Sequence, residues 1–176
     1  KDTVLKVDPV VLNDPKLGFK DLFENVGTSS YSGGAAKLNP LAISFVDDYI
    51  KKYGKTMNEI KGWGQPYFNL MDAILTQYGI PKEMKYLAVI ESHLKPYAIS
   101  WVGAAGPWQF MPGTARENGL LVNMFIDERI DYYKSTRAAA RYLNQLYRLY
   151  GDWLLVIAAY NGGPGNVNSA IRRSGS

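Results

Sequence analysis

Apolar residues recur at three- and four-residue intervals along most of this chain from Leu41 onward, the pattern of helices that bury one face. Asn39-Pro40 reads as an N-cap followed by proline at the first helical position. Leu41, Phe45, Val46, Tyr49 and Ile50 then keep helical spacing until Gly54, which is expected to end the run. A second helix is expected over 65–78, turning Phe68, Leu70, Met71, Ile74 and Leu75 inward, with Gly79 just beyond it. A third starts at Ile80-Pro81-Lys82-Glu83 and runs through Met84, Leu87, Ala88 and Ile90 to Glu91. Pro112-Gly113-Thr114 opens a short helix that ends near Gly119. Residues 135–150 are strongly amphipathic, with Ala139, Tyr142, Leu143, Leu146 and Leu149 on one stripe and Ser135 or Thr136 as the cap. Gly151-Asp152 breaks the pattern. Residues 153–160 are apolar on nearly every side, which predicts burial, and 167–172 form a last short helix.

Period-two alternation is confined to a short stretch around 97–103. The fold class is therefore mostly α, a single helical domain with at most a minor β-hairpin. Residues 1–37 differ from the rest. Asp-Pro, Gly-Thr-Ser-Ser and Gly-Gly are turn and linker signals. Val10, Val11, Leu12, Phe19, Leu22 and Phe23 nevertheless suggest an irregular arm packed on a body of residues 38–176.

Bulk properties narrow the function. At 176 residues, 47% of them hydrophobic and 20% charged, the chain fits one globular domain with a real core. A net charge of +4 favours an anionic partner such as a wall polymer, a nucleic acid or a membrane surface. No run of Lys or Arg is longer than two, so nucleic acid is not expected. The absence of cysteine excludes disulfides, thiolate metal sites and cysteine nucleophiles. With His93 the single histidine, neither a zinc site nor a Ser-His-Asp triad is expected, and neither metal nor cofactor enters the reading. No apolar run approaches the ~20 residues of a membrane span. The opening KDTVLKVDP has neither the charged nor the apolar region of a secretory signal.

Candidate chemistry concentrates in ESHLKPYAISWVGAAGPWQFMPGT, residues 91–114. Glu91 closes the apolar run YLAVIES, and no other acid occurs before Glu117. A solitary carboxyl beside Trp101, Trp108, Phe110 and Met111 is poorly solvated, which raises its pKa toward neutrality. That is the property of a general acid for a leaving oxygen. The bland alternative is a solvent-exposed glutamate at a helix end, although a negative charge there opposes the helix dipole by up to ~1 kcal/mol. Gln109 has an equally plain alternative, a loop amide satisfied by backbone. Trp101 and Trp108 stack on sugar or simply pack. In AAYN, Tyr160 and Asn161 could just close a buried helix, with Gly162-Gly163 as the turn.

ES, then GxxGPWQFMPxTA, then AAYNGGPGNV at 158–167, together resemble the lytic murein transglycosylase family, the SLT or goose-lysozyme-like domain. The spelling WQFMP and the D-E-R-x-D run at 127–131 resemble its membrane-bound type D branch most, and the motif-bearing core covers 65–173. The resemblance implies a lysozyme-like fold and cleavage of the MurNAc–GlcNAc bond of peptidoglycan to 1,6-anhydroMurNAc ends. It implies Glu91 as acid/base and Tyr160 as the second catalytic residue. Ser92, Gly106, Gln109, Met111 and Asn161 are implied to bind substrate, Gly106 by letting backbone approach sugar. Asp127, Arg129 and Asp131 read as a salt-bridged brace outside the chemistry. The implied setting is the periplasm or cell envelope, a monomer, with outer-membrane association through a signal or lipoprotein anchor not present in this chain. The rival readings are a hydrolytic muramidase and a non-catalytic peptidoglycan-binding scaffold.

Overall fold

The computed structural model describes residues 40–175, with side chains from Asp47 onward. The expected arm over 1–37 and the Asn39 cap lie outside the described residues. The chain divides after Thr56, and the unit that begins at Met57 carries the core and the candidate site. The described residues form α1 (Pro40–Trp63), α2 (Gln65–Gln77), α3 (Tyr86–Ser92), α4 (Pro112–Glu117), α5 (Tyr132–Tyr150), α6 (Trp153–Gly162) and α7 (Pro164–Ser174). Short 3-10 turns over Lys82–Lys85 and Glu128–Ile130 lead into α3 and α5.

The fold is helical, with only isolated bridges at Ile99–Ala105, Ala105–Phe110 and Val122–Asp127 among the described residues. Helix α5 is the axis of the second unit, packing against α2 and α6, while α7 closes on α6. It buries Ala138, Ala139, Ala140, Leu143 and Leu146. These meet Met71, Ile74 and Leu75 of α2, Leu87 and Ala88 of α3, and Val156 and Ala159 of α6 in one core. Trp108 is wholly buried in the same cluster. Its ring removes on the order of 200 Å² from water, about 5 kcal/mol of transfer free energy. The loop that carries Trp108 is thereby nailed to the helices.

Several expected boundaries move. Gly54 does not end α1, which continues to Trp63, because one glycine in a helix interior costs only about 1 kcal/mol. The third helix splits into a 3-10 turn and α3. Met84, Ala88 and Ser92 make its buried stripe, and Ile90, about 200° round from Ala88, points outward at 56% exposure. Asp131 rather than Ser135 or Thr136 caps α5, its carboxylate accepting from the Lys134 amide at 2.7 Å. Both Ser135 and Thr136 are buried instead, and Leu149 is exposed. Helix α6 buries only Val156 and Ala159 completely, so its all-apolar surface is largely half-buried at the edge of the bundle. The last helix is longer than expected, with Pro164 at its start.

Candidate active site

Helix α3 sets Glu91 on the rim of its buried stripe. One residue further, Ser92 is inside and lies within hydrogen-bond distance of the Ala88 carbonyl at 3.0 Å and the Pro107 carbonyl at 2.8 Å. Glu91 itself is half-buried, and burial raises its carboxyl pKa above the ordinary value. The chain then turns sharply. His93 and Leu94 both take left-handed backbone, with φ of 53° and 59°, and the Leu94 amide reaches back to Ala88 O at 3.2 Å. Leu94 is fully buried, the apolar plug that commonly accompanies such a helix end.

The loop from Lys95 to Met111 returns over this helix end. The Gly106 amide donates to Ala98 O at 2.9 Å, and Ala105 and Phe110 exchange two backbone bonds of 3.1 Å. Gln109 also has left-handed backbone, with φ of 48°. Among the described residues, the three non-glycine positions with such φ are His93 and Leu94, just after Glu91, and Gln109, near the end of the loop that returns over this helix end. Each stores about 1–3 kcal/mol of local strain, and strain of this kind clusters where geometry serves function.

The expected residues separate into two groups. The Gln109 amide nitrogen donates to Ala98 O at 3.1 Å and Gly106 O at 2.9 Å, so this end of the side chain holds the loop. The plain alternative for Gln109 therefore accounts for its two donors and leaves Oε1 as the group with which to meet a ligand. Gly106, with φ of 83°, is buried against protein: a Cβ there would sit 1.9 Å from Arg129 O. What approaches its Cα closely is the backbone of residue 129, rather than the open surface expected for a sugar contact. Ser92 likewise binds the loop. Met111 caps the start of α4 and is exposed, and Asn161 is exposed in the last turn of α6, donating to Ile157 O at 3.0 Å.

Tyr160 crosses from α6 to the loop. Its hydroxyl donates to the Trp108 carbonyl at 2.8 Å. Burial first, then the neighbouring Glu91 charge, push the phenol pKa well above its usual value. The two groups are thus close enough to interact electrostatically. Tyr160 is held by Tyr142 and Phe110, with ring centroids 5.6 Å and 6.3 Å away. Trp108 is packed rather than displayed, its indole nitrogen donating to Thr136 Oγ1 at 3.0 Å, whereas Trp101 is 97% exposed.

Arg129 does more than the expected brace. Its Nε and Nη2 donate to the two Asp127 oxygens at 2.9 Å and 2.7 Å, while Nη1 donates to Gly103 O at 2.7 Å and Phe110 O at 2.9 Å. A buried guanidinium therefore clamps both arms of the loop that returns over Glu91. The sequence signal was the D-E-R-x-D run itself. Its reach across to the loop is a matter of tertiary geometry. Asp131 takes no part in the ion pair, because its carboxylate caps α5.

Asp127 and Glu128 are committed to ion pairs of their own. Arg129 beside Asp127 and Lys134 beside Glu128 hold those carboxyls below their usual values. Burial holds Glu91 above its own. Environments that push carboxyl pKa values apart sort a proton donor from structural anions.

A helical bundle closed over one half-buried carboxyl by a glycine-rich loop defines a lysozyme-like domain. It is similar to the crystal structure of the 70 kDa soluble lytic transglycosylase SLT70 from Escherichia coli, with a TM-score of 0.55 and 28% identity over 61% of this chain and 18% of that one. The transglycosylase SLT domain family matches residues 69–176, and the chain belongs to that family. Among curated proteins it is 38% identical over 109 residues to membrane-bound lytic murein transglycosylase D of Escherichia coli (strain K12), covering 61% of this chain and 24% of that protein. It is also 33% identical over 108 residues to a putative tributyltin chloride resistance protein of Alteromonas sp. (strain M-1), covering 61% of this chain and 52% of that protein. The chain thus spans about a quarter and about half of the lengths of these two relatives.

Proposed function

We propose that this domain is a peptidoglycan lytic transglycosylase that cleaves the MurNAc–GlcNAc β-1,4 bond with Glu91 as its single acid/base. The observation that carries the reading is the Glu91 carboxyl, half-buried, raised in pKa by that burial, and set under the strained loop of a chain in the SLT family. Protonated Glu91 gives its proton to the glycosidic oxygen as the C1–O bond breaks. The 2-acetamido oxygen of the muramic ring bonds to C1 and holds the developing cation as an oxazolinium ion. Such substrate assistance dispenses with a second carboxylate. The Glu91 carboxylate then takes the proton from the C6 hydroxyl, and O6 bonds to C1 as the oxazolinium opens and the acetamide is restored. The product is a 1,6-anhydro-muramoyl end, no water is consumed, and Glu91 is again protonated.

Tyr160 is the second catalytic residue in this reading. Its phenol is anchored on Trp108 O beside the acid and keeps the loop and α6 in register. Gln109 Oε1, Met111 and Asn161 present polar and apolar groups to the sugar, whereas Ser92 and Gly106 support them by shaping the loop. The substrate is the glycan strand of the cell wall, which places the domain in the periplasm or cell envelope. Among the described residues no helix is long and apolar enough to cross a membrane, so outer-membrane association would come from an anchor outside them.

Mass spectrometry of muropeptides released from purified peptidoglycan tests the proposal. Anhydro-muramoyl products from the wild type, and none from Glu91→Gln, are expected. Reducing muramic ends would make the domain a hydrolytic muramidase. Binding to sacculi with no product from the wild type would leave a scaffold.

A further inference from the structure

One segment of the loop serves neither the core nor the candidate acid. Tyr97, Ile99 and Trp101 are 77%, 73% and 97% exposed, and Val102 beside them is exposed too. The residues between them face inward and do the structural work. Ala98 O accepts from the Gly106 amide and from Gln109 Nε2 at 2.9 Å and 3.1 Å. The Ser100 amide donates to Ala104 O at 2.8 Å, and the Ala104 amide returns a bond to Ser100 Oγ at 3.0 Å. A closed turn of this kind displays Trp101 at its tip with little freedom left to lose on binding. Exposed aromatics collected on a rigid turn mark a contact surface rather than scattered surface residues.

We infer that Tyr97, Ile99 and Trp101 form an apolar subsite, aromatic at both ends, that grips the glycan strand away from the bond being cleaved. The inference rests on the proposed activity for the identity of the polymer. Two observations choose the occupant. The strip is continuous with the candidate cleft, because the carbonyl between Tyr97 and Ile99 is the one that Gln109 holds. Residues 96–115 contain no charged side chain, which suits the C–H face of a sugar ring. An anionic membrane surface would instead call for a cluster of lysine and arginine about the aromatic tip, whereas the sequence places Lys95 alone before Tyr97 and the next cation only at Arg116. A strand held on this strip makes the domain favour long glycans over short fragments.

Trp101→Ala, Tyr97→Ala and Trp101→Phe test this in the Glu91→Gln background, where bound strands persist. The readout is the Kd for long glycan strands stripped of peptides, set against the Kd for a tetrasaccharide. Trp101→Ala should weaken long-strand binding about fivefold and leave the tetrasaccharide unchanged, with Trp101→Phe restoring most of the loss. Equal Kd values for the parent and Trp101→Ala on long strands overturn the inference, whatever the wild type cleaves. Loss of binding to phosphatidylglycerol-containing vesicles, with strand binding intact, overturns it in favour of a membrane contact. Failure of the wild type to release muropeptides, with the Trp101 effect on strand binding present, defeats the proposed activity alone. Because Trp101 is almost wholly exposed, the melting temperature of the variant should match its parent, which separates lost contact from lost fold.

Discussion

Arg129→Lys keeps a positive charge and removes the planar fork that the clamp uses. The native guanidinium makes four bonds of 2.7–2.9 Å, two to Asp127 and two to the carbonyls of Gly103 and Phe110. An ammonium on a flexible stem can face the carboxylate or the carbonyls, so about two of the four bonds survive. Each bond to a charged group contributes roughly 1.5–3 kcal/mol. Two effects soften the loss. Phe110 O still accepts from the Ala105 amide at 3.1 Å, and the Asp127 side chain is 31% exposed, so water recovers part of its hydration. The expected destabilisation is about 2–3 kcal/mol. For a chain of this length that lowers Tm by roughly 4–12 °C. Urea titration followed by circular dichroism measures it, and turnover on sacculi should fall as the loop over Glu91 loosens. A midpoint equivalent to a change below about 0.5 kcal/mol, within the ordinary effect of a surface substitution, would refute the clamp.

Three further outcomes follow from the same geometry. Burial raises the Glu91 pKa in the folded state, so its contribution to stability is greatest below the unfolded value and declines as pH rises through the folded one. Glu91→Gln should therefore melt higher than the wild type at pH 8 and alike below about pH 4, while cleaving nothing; scanning calorimetry across that range would contradict this with a constant difference. Tyr160→Phe removes the 2.8 Å bond to Trp108 O and should cost about 1 kcal/mol of stability and part, not all, of the turnover. Wild-type kcat in that variant would end its catalytic assignment. Gly106→Ala combines a φ of 83° with a Cβ 1.9 Å from Arg129 O, so we expect a loss of about 3 kcal/mol or more. Near-native stability by urea titration would mean that the two backbones separate easily.

The helices were legible wherever one stripe of a periodic segment faced one core. The boundary of α2 and the glycine stop after α5 follow from local chemistry alone. The start of α5 was harder, because Tyr132 and Tyr133 obscure the stripe and the capping group is Asp131, one turn before the apolar pattern begins. Apolar residues all round α6 predicted burial, yet periodicity carries no information on how many neighbours a helix will find. The desolvated state of Glu91 was legible from the absence of nearby acids and the apolar run before it, and its direction of shift agrees. Partners were not. Which carbonyl Tyr160 chooses, what touches the Cα of Gly106, and where Arg129 reaches depend on segments tens of residues apart meeting in space.

Those separations have a bearing on timing. Glu91 and its loop precede α5 and α6 in the chain and share their local turns, but the bonds that hold the loop reach forward by 26 residues to Arg129, 28 to Thr136 and 52 to Tyr160. Closing such long intervals must wait until the later segments exist and have docked. A nascent chain that has released residue 120 thus carries its acid without a formed site, and in pulsed hydrogen exchange the amides of Ala105 and Phe110 should gain protection only with α5 and α6. If the proposed activity holds, an assembled site appears only once α5 and α6 have docked on the loop.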